Sequence, residues 1–254
     1  MRLVVVAMIG VTASSAEAGP WALEDGRSQV ILKYEDMRAS DGFGPTGEQV
    51  PLTGARSDRS LGMLAEYGLT DRVTLQLKTD WQSGEDATLS YEGRGPFEVG
   101  ATFQIWRNDR SAVSIYGGYA DGGDGRNAGY AAPGVGQNDW ELRTSLGHAF
   151  DGGRRLGPTR SFVDVQIARR MRDGLPDEAR ADFTFGAHYG DNWLVLGQAF
   201  GGVSDGDGAR WLSVETSVVR HLGLWSVQGG WRQSVAGRQT PVANGPVLAL
   251  WRRF

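Results

Sequence analysis

Three histidines, a scatter of serines and two aspartate-rich stretches are the residues of this chain whose types could carry chemistry. A serine nucleophile needs a histidine within hydrogen-bond reach, and that histidine needs an orienting partner of its own. His148, His188 and His221 are the three histidines available. Only His188 alternates with the polar residues around it, and Ser217, on another segment, can be matched to it by position alone. No catalytic residue is assigned on that basis. The stretches "DGGDGRNAG" (121–129) and "SDGDGAR" (204–210) offer oxygen ligands through Asp121, Asp124, Asp205 and Asp207. Neither has the twelve-residue spacing with a closing glutamate that a calcium loop needs, and neither repeats. Both read as solvated turns built from glycine and aspartate. There is no cysteine, so disulfides, thiolate–zinc sites and thiol catalysis are ruled out. No metal and no cofactor is expected.

Charged residues in the middle of otherwise regular segments are the more informative set, and the segments themselves explain why. In "EYGLTDRVTLQLKTDW" (66–81), Val73, Leu75 and Leu77 alternate with Thr74, Gln76, Lys78 and Asp80. Leu61, Met63, Ala65 and Tyr67 alternate in the same way just before, with Gly68-Leu69-Thr70-Asp71 between the runs. Period two marks a strand with one dry and one wet face, and two such runs across a tight polar turn mark an antiparallel hairpin. About twelve segments of this kind follow one another to the end of the chain. None has a helical period beyond the first residues, and no apolar run approaches the roughly 20 residues of a membrane-spanning helix.

The N-terminus is of a different kind. Arg2, the apolar run Leu3–Val11 and the small-x-small triplet Ala16-Glu17-Ala18 form a secretory signal peptide over residues 1–18, with Gly19 as the first mature residue. Net charge is -4, and no basic patch suited to nucleic acid is present.

The connections alternate in length. Those near 38–57, 84–94, 121–138, 172–180, 203–210 and 235–244 are long and polar; those near 69–72, 107–110, 190–192 and 221–224 are short, and 151–159 is longer than its class. Such alternation gathers the long loops at one end of an up-and-down sheet, as in barrels that cross a bilayer. The aromatic residues agree. On the apolar parity, Tyr67, Phe150, Tyr189 and Trp225 sit beside short turns, and Tyr34, Trp81, Phe97, Tyr119, Trp140, Phe183 and Trp231 lie towards the long loops. Two aromatic girdles around an aliphatic band are what the two interfaces of a membrane select. Trp106 and Trp211 take the polar parity and are expected at the rims.

With these features the chain resembles Gram-negative outer-membrane β-barrels over essentially its whole mature length. The resemblance rests on the export signal, the twelve-segment pattern and the terminal Phe254 of "VLALWRRF". In that family a C-terminal aromatic is read by the assembly machinery; Leu248, Leu250 and Phe254 keep one parity here and Arg252 departs from it. The hairpin "EYGLTDRVTLQ" is also similar to phenol-degradation-associated outer-membrane proteins, a likeness that implies no substrate.

The predicted fold class is therefore all-β: a single antiparallel up-and-down transmembrane β-barrel of about twelve strands, residues 19–254, after the signal peptide. Its expected place is the cell outer membrane. Its expected partners are outer-membrane lipid, the barrel-assembly machinery through the strand ending in Phe254, and small solutes or ions. Parity assigns Lys33, Glu35, Lys78, Asp80, Glu98, Glu141, Arg143, Asp164, Asp182, Glu215 and Arg232 as candidates to line the lumen. Acids outnumber bases in that set, which predicts a mild preference for cations. A narrow passive channel is the first functional expectation. A non-conducting structural or adhesive barrel acting through its outer loops is the second, and a membrane-embedded lipid or peptide hydrolase the third.

Overall fold

A computed structural model describes residues 19–123, 136–152 and 157–254. The signal peptide expected over residues 1–18, and Asp124, lie outside the described residues. The strands run in chain order as β1 (Ser28–Phe43), β2 (Gln49–Thr70), β3 (Val73–Glu85), β4 (Ser90–Arg107), β5 (Ser111–Asp121) and β6 (Asn138–Asp151). They continue as β7 (Arg160–Met171), β8 (Glu178–Tyr189), β9 (Trp193–Ser204), β10 (Arg210–Leu222), β11 (Trp225–Arg238), the two-residue β12 (Thr240–Pro241) and β13 (Asn244–Arg253). Each long strand pairs antiparallel with its sequence neighbours. β1 closes the ring by pairing with both β2 and β13, so that Leu32 is opposite Met63 on one side and Leu250 on the other. The result is a closed barrel of twelve long strands, with β12 as a short addition against the upper end of β1. Closure gives each of the twelve long strands a partner on both sides, which a barrel in lipid requires.

The parity read from the sequence maps onto two faces. Leu142, Ile167 and Leu248 are exposed on the outside, while Glu98, Glu141 and Glu215 are buried inside. The aromatic girdles are present on the exterior: Trp81, Phe97, Trp140, Phe183 and Trp231 towards the long-loop end, and Tyr67, Phe150, Tyr189, Trp193 and Trp225 near the short turns. Arg252 belongs to the second girdle, because its guanidinium lies 4.7 Å from the ring centre of Trp225 and 5.2 Å from that of Phe254. A cation at that height reaches the headgroup layer while its stem covers apolar surface. The departure of Arg252 from strict apolar parity is thus an interfacial device. Short turns are built to match: Gly223 takes φ 67° between the paired residues Leu222 and Trp225, a conformation that L side chains rarely adopt.

The strands extend further than the polarity pattern suggests. The long connection expected over 38–57 is largely strand, since β1 and β2 stay paired up to Phe43 and Gln49. The connections expected over 84–94 and 235–244 shrink in the same way, to 86–89 and to single or paired residues around β12. Above the membrane both faces of a ladder meet water, so alternation no longer marks a strand. Trp106 is also corrected. A register shift between Gln104 and Trp106 turns its ring outwards, where it is half exposed. Trp211 does remain inside at the rim, where its indole N–H donates to Glu178 over 2.8 Å.

Candidate functional site

Inside the barrel the charged side chains form two groups. The first gathers residues from β3, β4, β6, β7 and β8. Arg170 lies at its centre and donates to Glu98 Oε2 over 2.7 Å and, through Nε, to Glu141 Oε2 over 2.8 Å. Lys78 Nζ reaches Glu98 Oε1 at 3.2 Å, Arg143 Nε donates to Glu141 Oε1 at 2.9 Å, and Arg180 stands 3.7 Å from Glu141. The second group gathers β1, β10 and β11. Glu215 accepts from Arg232 over 2.6 Å and from Ser217 over 2.7 Å, and Lys33 joins Glu35 at 3.2 Å and Glu215 at 3.5 Å. Arg232 closes the ring with a 3.0 Å contact to Glu35.

Eight of the eleven sequence candidates therefore meet in these two groups: Lys78, Glu98, Glu141 and Arg143 in one, and Lys33, Glu35, Glu215 and Arg232 in the other. Asp80, Asp164 and Asp182 stand apart. Asp80 accepts from Gln82 and Asp164 from Gln166, each over 2.7 Å. Asp182 lines the interior cavity beside Arg180.

Three members of the interior were not among the candidates. Arg170 shares the polar parity but was not singled out; its double contact depends on β4, β6 and β7 being placed side by side. Arg180 lies at the polar end of β8, where the alternation is weak. Tyr116 has an inward parity that aromatic residues on a barrel strand seldom take. It fits because Gly100 and Gly118 flank it, and a side chain at either glycine would overlap its ring. Its hydroxyl donates to Glu98 over 2.7 Å, and Lys78 and Arg143 lie over its face at 5.6 and 5.2 Å. The glycines at this height of β4 and β5 were the signal that could have found it.

These groups surround a cavity of about 750 Å³ that reaches from rim residues such as Tyr91 and Thr240 down to Ile31, Leu196 and Trp251. Seven basic residues and five acidic residues line it. The balance is thus the reverse of the sequence-based expectation. Three of the carboxylates are less exposed than cations they pair with: side-chain exposure is 31% for Lys33, 31% for Lys78 and 25% for Arg180, against 8% for Glu98, 3% for Glu141 and 0% for Glu215, while Glu35 and Arg232 are equally exposed. The cavity wall thus carries exposed ammonium and guanidinium tips together with the carboxylates of Glu35, Asp58, Asp80 and Asp182.

Towards the short-turn end the interior changes character. Phe162, Leu194, Leu196, Val219 and Trp251 form a buried apolar cluster, against which Trp21 and Ile31 pack. Trp21 belongs to the segment ahead of β1, which turns back into the barrel. Its ring meets Phe162 edge-on at 6.1 Å. The Pro20 carbonyl accepts from the buried Gln104 amide over 2.9 Å, and the Leu23 N–H donates to Thr74 over 2.9 Å. Gly147 makes room for this segment, since a side chain there would overlap Pro20 and Trp21. The barrel is a polar vestibule above an apolar floor, with residues 20–23 part of the floor.

The residues considered for chemistry are engaged otherwise. His188 stacks between Phe162 and His221, and Ser217 is turned to Glu215. His148 is hydrogen-bonded to Ser111, and His221 to Ser226 with Arg253 beside it. A guanidinium behind His221 opposes the imidazolium that a general base must form. The loop aspartates pair with arginines: Asp121 with Arg94, Asp205 with Arg169, and Asp207 with Arg238 at 3.4 Å. Among the described residues no group of three or more potential metal ligands occurs.

Comparison with known proteins places the architecture. No protein-family model and no curated protein matches the chain. Among solved structures, an outer membrane channel from Pseudomonas putida F1 matches with a TM-score of 0.68 at 13% identity, over 94% of this chain and 100% of that one. The chain has the fold of outer-membrane channels. The KdgM porin matches at TM-score 0.55 and 6% identity, over 89% of this chain and 99% of that one. The NanC porin matches at 0.55 and 7%, over 88% and 98%. With a closed ring, an apolar exterior belt and two aromatic girdles, the barrel resides in the cell outer membrane.

Proposed function

We propose that this barrel is a narrow passive channel for ions and small solutes, and that it favours anions. The observation that carries the reading is the water-accessible vestibule whose walls present Lys33, Lys78, Arg143, Arg180 and Arg232, each more exposed than the buried Glu98, Glu141 or Glu215 it pairs with. A ring of cationic tips in a confined lumen attracts anions and raises the barrier to cations. Twelve strands enclose more width than side chains from the wall must fill, and less than a wide porin. The porins of similar fold lend support of a general kind, and one of them, KdgM, is described with a bound oligogalacturonate. No reacting group is assigned; the histidine environments favour a structural role. The outward belt meets outer-membrane lipid, and Phe254, exposed at the end of β13, is the residue offered to the barrel-assembly machinery.

A second reading, a non-conducting structural barrel, is favoured by the apolar floor around Trp21, Phe162 and Trp251. Liposome swelling separates the two. Vesicles holding the folded barrel should swell faster in small organic anions than in cations of matching size. Absence of swelling in every solute would favour the structural barrel, and faster swelling in cations would refute the anion preference.

A further inference from the structure

We infer that cleavage after Ala18 leaves an N-terminal ammonium on Gly19 that docks against Asp164 inside the barrel, and that this ion pair seats residues 19–23 as a tethered plug. The inference stands whether or not the barrel conducts.

Asp164 is one of the three inward aspartates, with Asp80 and Asp182, that the two ion-pair groups leave out. It is 3% exposed. One oxygen accepts from the Gln166 amide, and Oδ1 has no hydrogen-bond partner among the described residues. The charged groups acting on it are Arg143 and Asp182, and Arg143 is turned to Glu141 and to Gln166. A buried carboxylate without a cation is costly, so the site calls for a positive charge.

The residue lying against it is Gly19. Gly19 and Pro20 are buried in the barrel, and a β-carbon on Gly19 would lie 3.1 Å from Asp164 Oδ2. Two substituents on one α-carbon are about 2.5 Å apart, so the Gly19 nitrogen lies no more than about 5.6 Å from Asp164 Oδ2, and a rotation of the freed terminus is enough to close the ion pair. The rest of the segment is fixed in register by Pro20 on Gln104, Trp21 on Phe162 and Leu23 on Thr74. Nothing needs to move far for the new terminus to find its partner.

The sequence supplies the chemistry. Ala16-Glu17-Ala18 is a small-x-small cleavage triplet directly before Gly19. Hydrolysis adds the water hydroxyl to the Ala18 carbonyl and leaves the Gly19 nitrogen as a free amine, which takes up a proton at neutral pH. An uncleaved chain has only an uncharged amide there. Removal of the leader and seating of the plug are thereby linked.

The test is N-terminal, and its readout is independent of conduction. Intact mass of the barrel purified from outer membranes should give Gly19 as the first residue. The purified barrel is then treated at pH 8 with an aldehyde selective for α-amines, folding being verified by heat-shifted gel mobility. A free α-amine is about half deprotonated at that pH, and a nearby carboxylate raises its pKa by about one to three units, so labelling should slow at least about fivefold. Folded wild type should therefore label at least about fivefold more slowly than folded Asp164→Asn, and the two should label equally once denatured. Should Asp164→Asn not fold, two serines inserted before Gly19 displace the amine and should restore fast labelling with Asp164 intact. A different N-terminus, or equal labelling of the folded wild type and of the folded variant used, overturns the inference.

Discussion

Arg170→Met is the substitution whose outcome follows most directly from the interior. The guanidinium bridges Glu98 at 2.7 Å and Glu141 at 2.6 Å, and both carboxylates are buried. Methionine fills much of the same volume without charge. Lys78 still faces Glu98, and Arg143 still faces Glu141, so neither acid is stripped of every partner. What is lost is the only group among the described residues that forms an ion pair with both. Removing one partner from a buried ion pair costs about 3–5 kcal/mol, and the remaining cations place the expected loss near the lower figure, about 3 kcal/mol. Arg170→Lys keeps the charge but not the two-sided fork, and should fall between wild type and Arg170→Met. The triple variant Arg170→Met, Glu98→Gln, Glu141→Gln removes the unpaired acids together with their bridge and should recover part of the loss. The assay is denaturant unfolding in detergent or lipid, followed by the gel shift between folded and unfolded forms. A change of less than about 1 kcal/mol on Arg170→Met would refute the reasoning, because it would place these groups in an environment as forgiving as an exposed ion pair.

Further outcomes are expected elsewhere. Gly147→Val should unseat Pro20 and Trp21, and make residues 19–23 accessible to protease while leaving the barrel resistant. Trp21→Ala should destabilise the floor by about 2–3 kcal/mol, less than for a fully buried tryptophan, read from the same denaturant curves. In the outer loop of residues 86–89, Asp86 is held down at about 2 by hydrogen bonds from the Thr88 backbone and side chain and from the Leu89 backbone. A depressed carboxyl stabilises the loop at pH values above its unfolded pKa and loses that contribution as pH falls through about 2; a titration of the Asp86 carboxyl by NMR should give a midpoint well below that of an exposed aspartate. Deleting Phe254 should lower the yield of heat-shifted, folded protein in outer membranes, measured against a Phe254→Trp control.

The parts of this molecule that were legible in the sequence are those where the membrane enforces a pattern. Val73, Leu75 and Leu77 alternate because lipid lies on one side, and the same constraint put Glu98, Glu141 and Glu215 on the other. Once β1 and β2 rise above the membrane, Asp41, Gly42 and Pro51 are free of that constraint, and their composition reads as loop although the ladder continues through Gly42 and Val50. Pairing inside the lumen was legible only as membership. Which acid meets which base depends on register, as in Glu141 opposite Arg170 across β6 and β7. The charge balance of the cavity wall was not legible for the same reason: Arg59, Arg170 and Arg180 line it without having been counted, and Glu141, Asp164 and Glu215 share the polar parity but do not line it. The floor was least legible, since Trp21 meets Phe162 and Leu23 meets Thr74 across long separations in sequence. Trp106 shows how one register shift reverses a parity assignment.

Single-channel recording in a planar bilayer, with a salt gradient across it, tests the proposed channel most directly. Reproducible small steps with a reversal potential on the chloride side are expected, moving towards the cation side when Lys78→Glu reverses one wall charge. Silence from protein shown to be folded, or steps that favour potassium in the wild type, would contradict an anion-favouring channel.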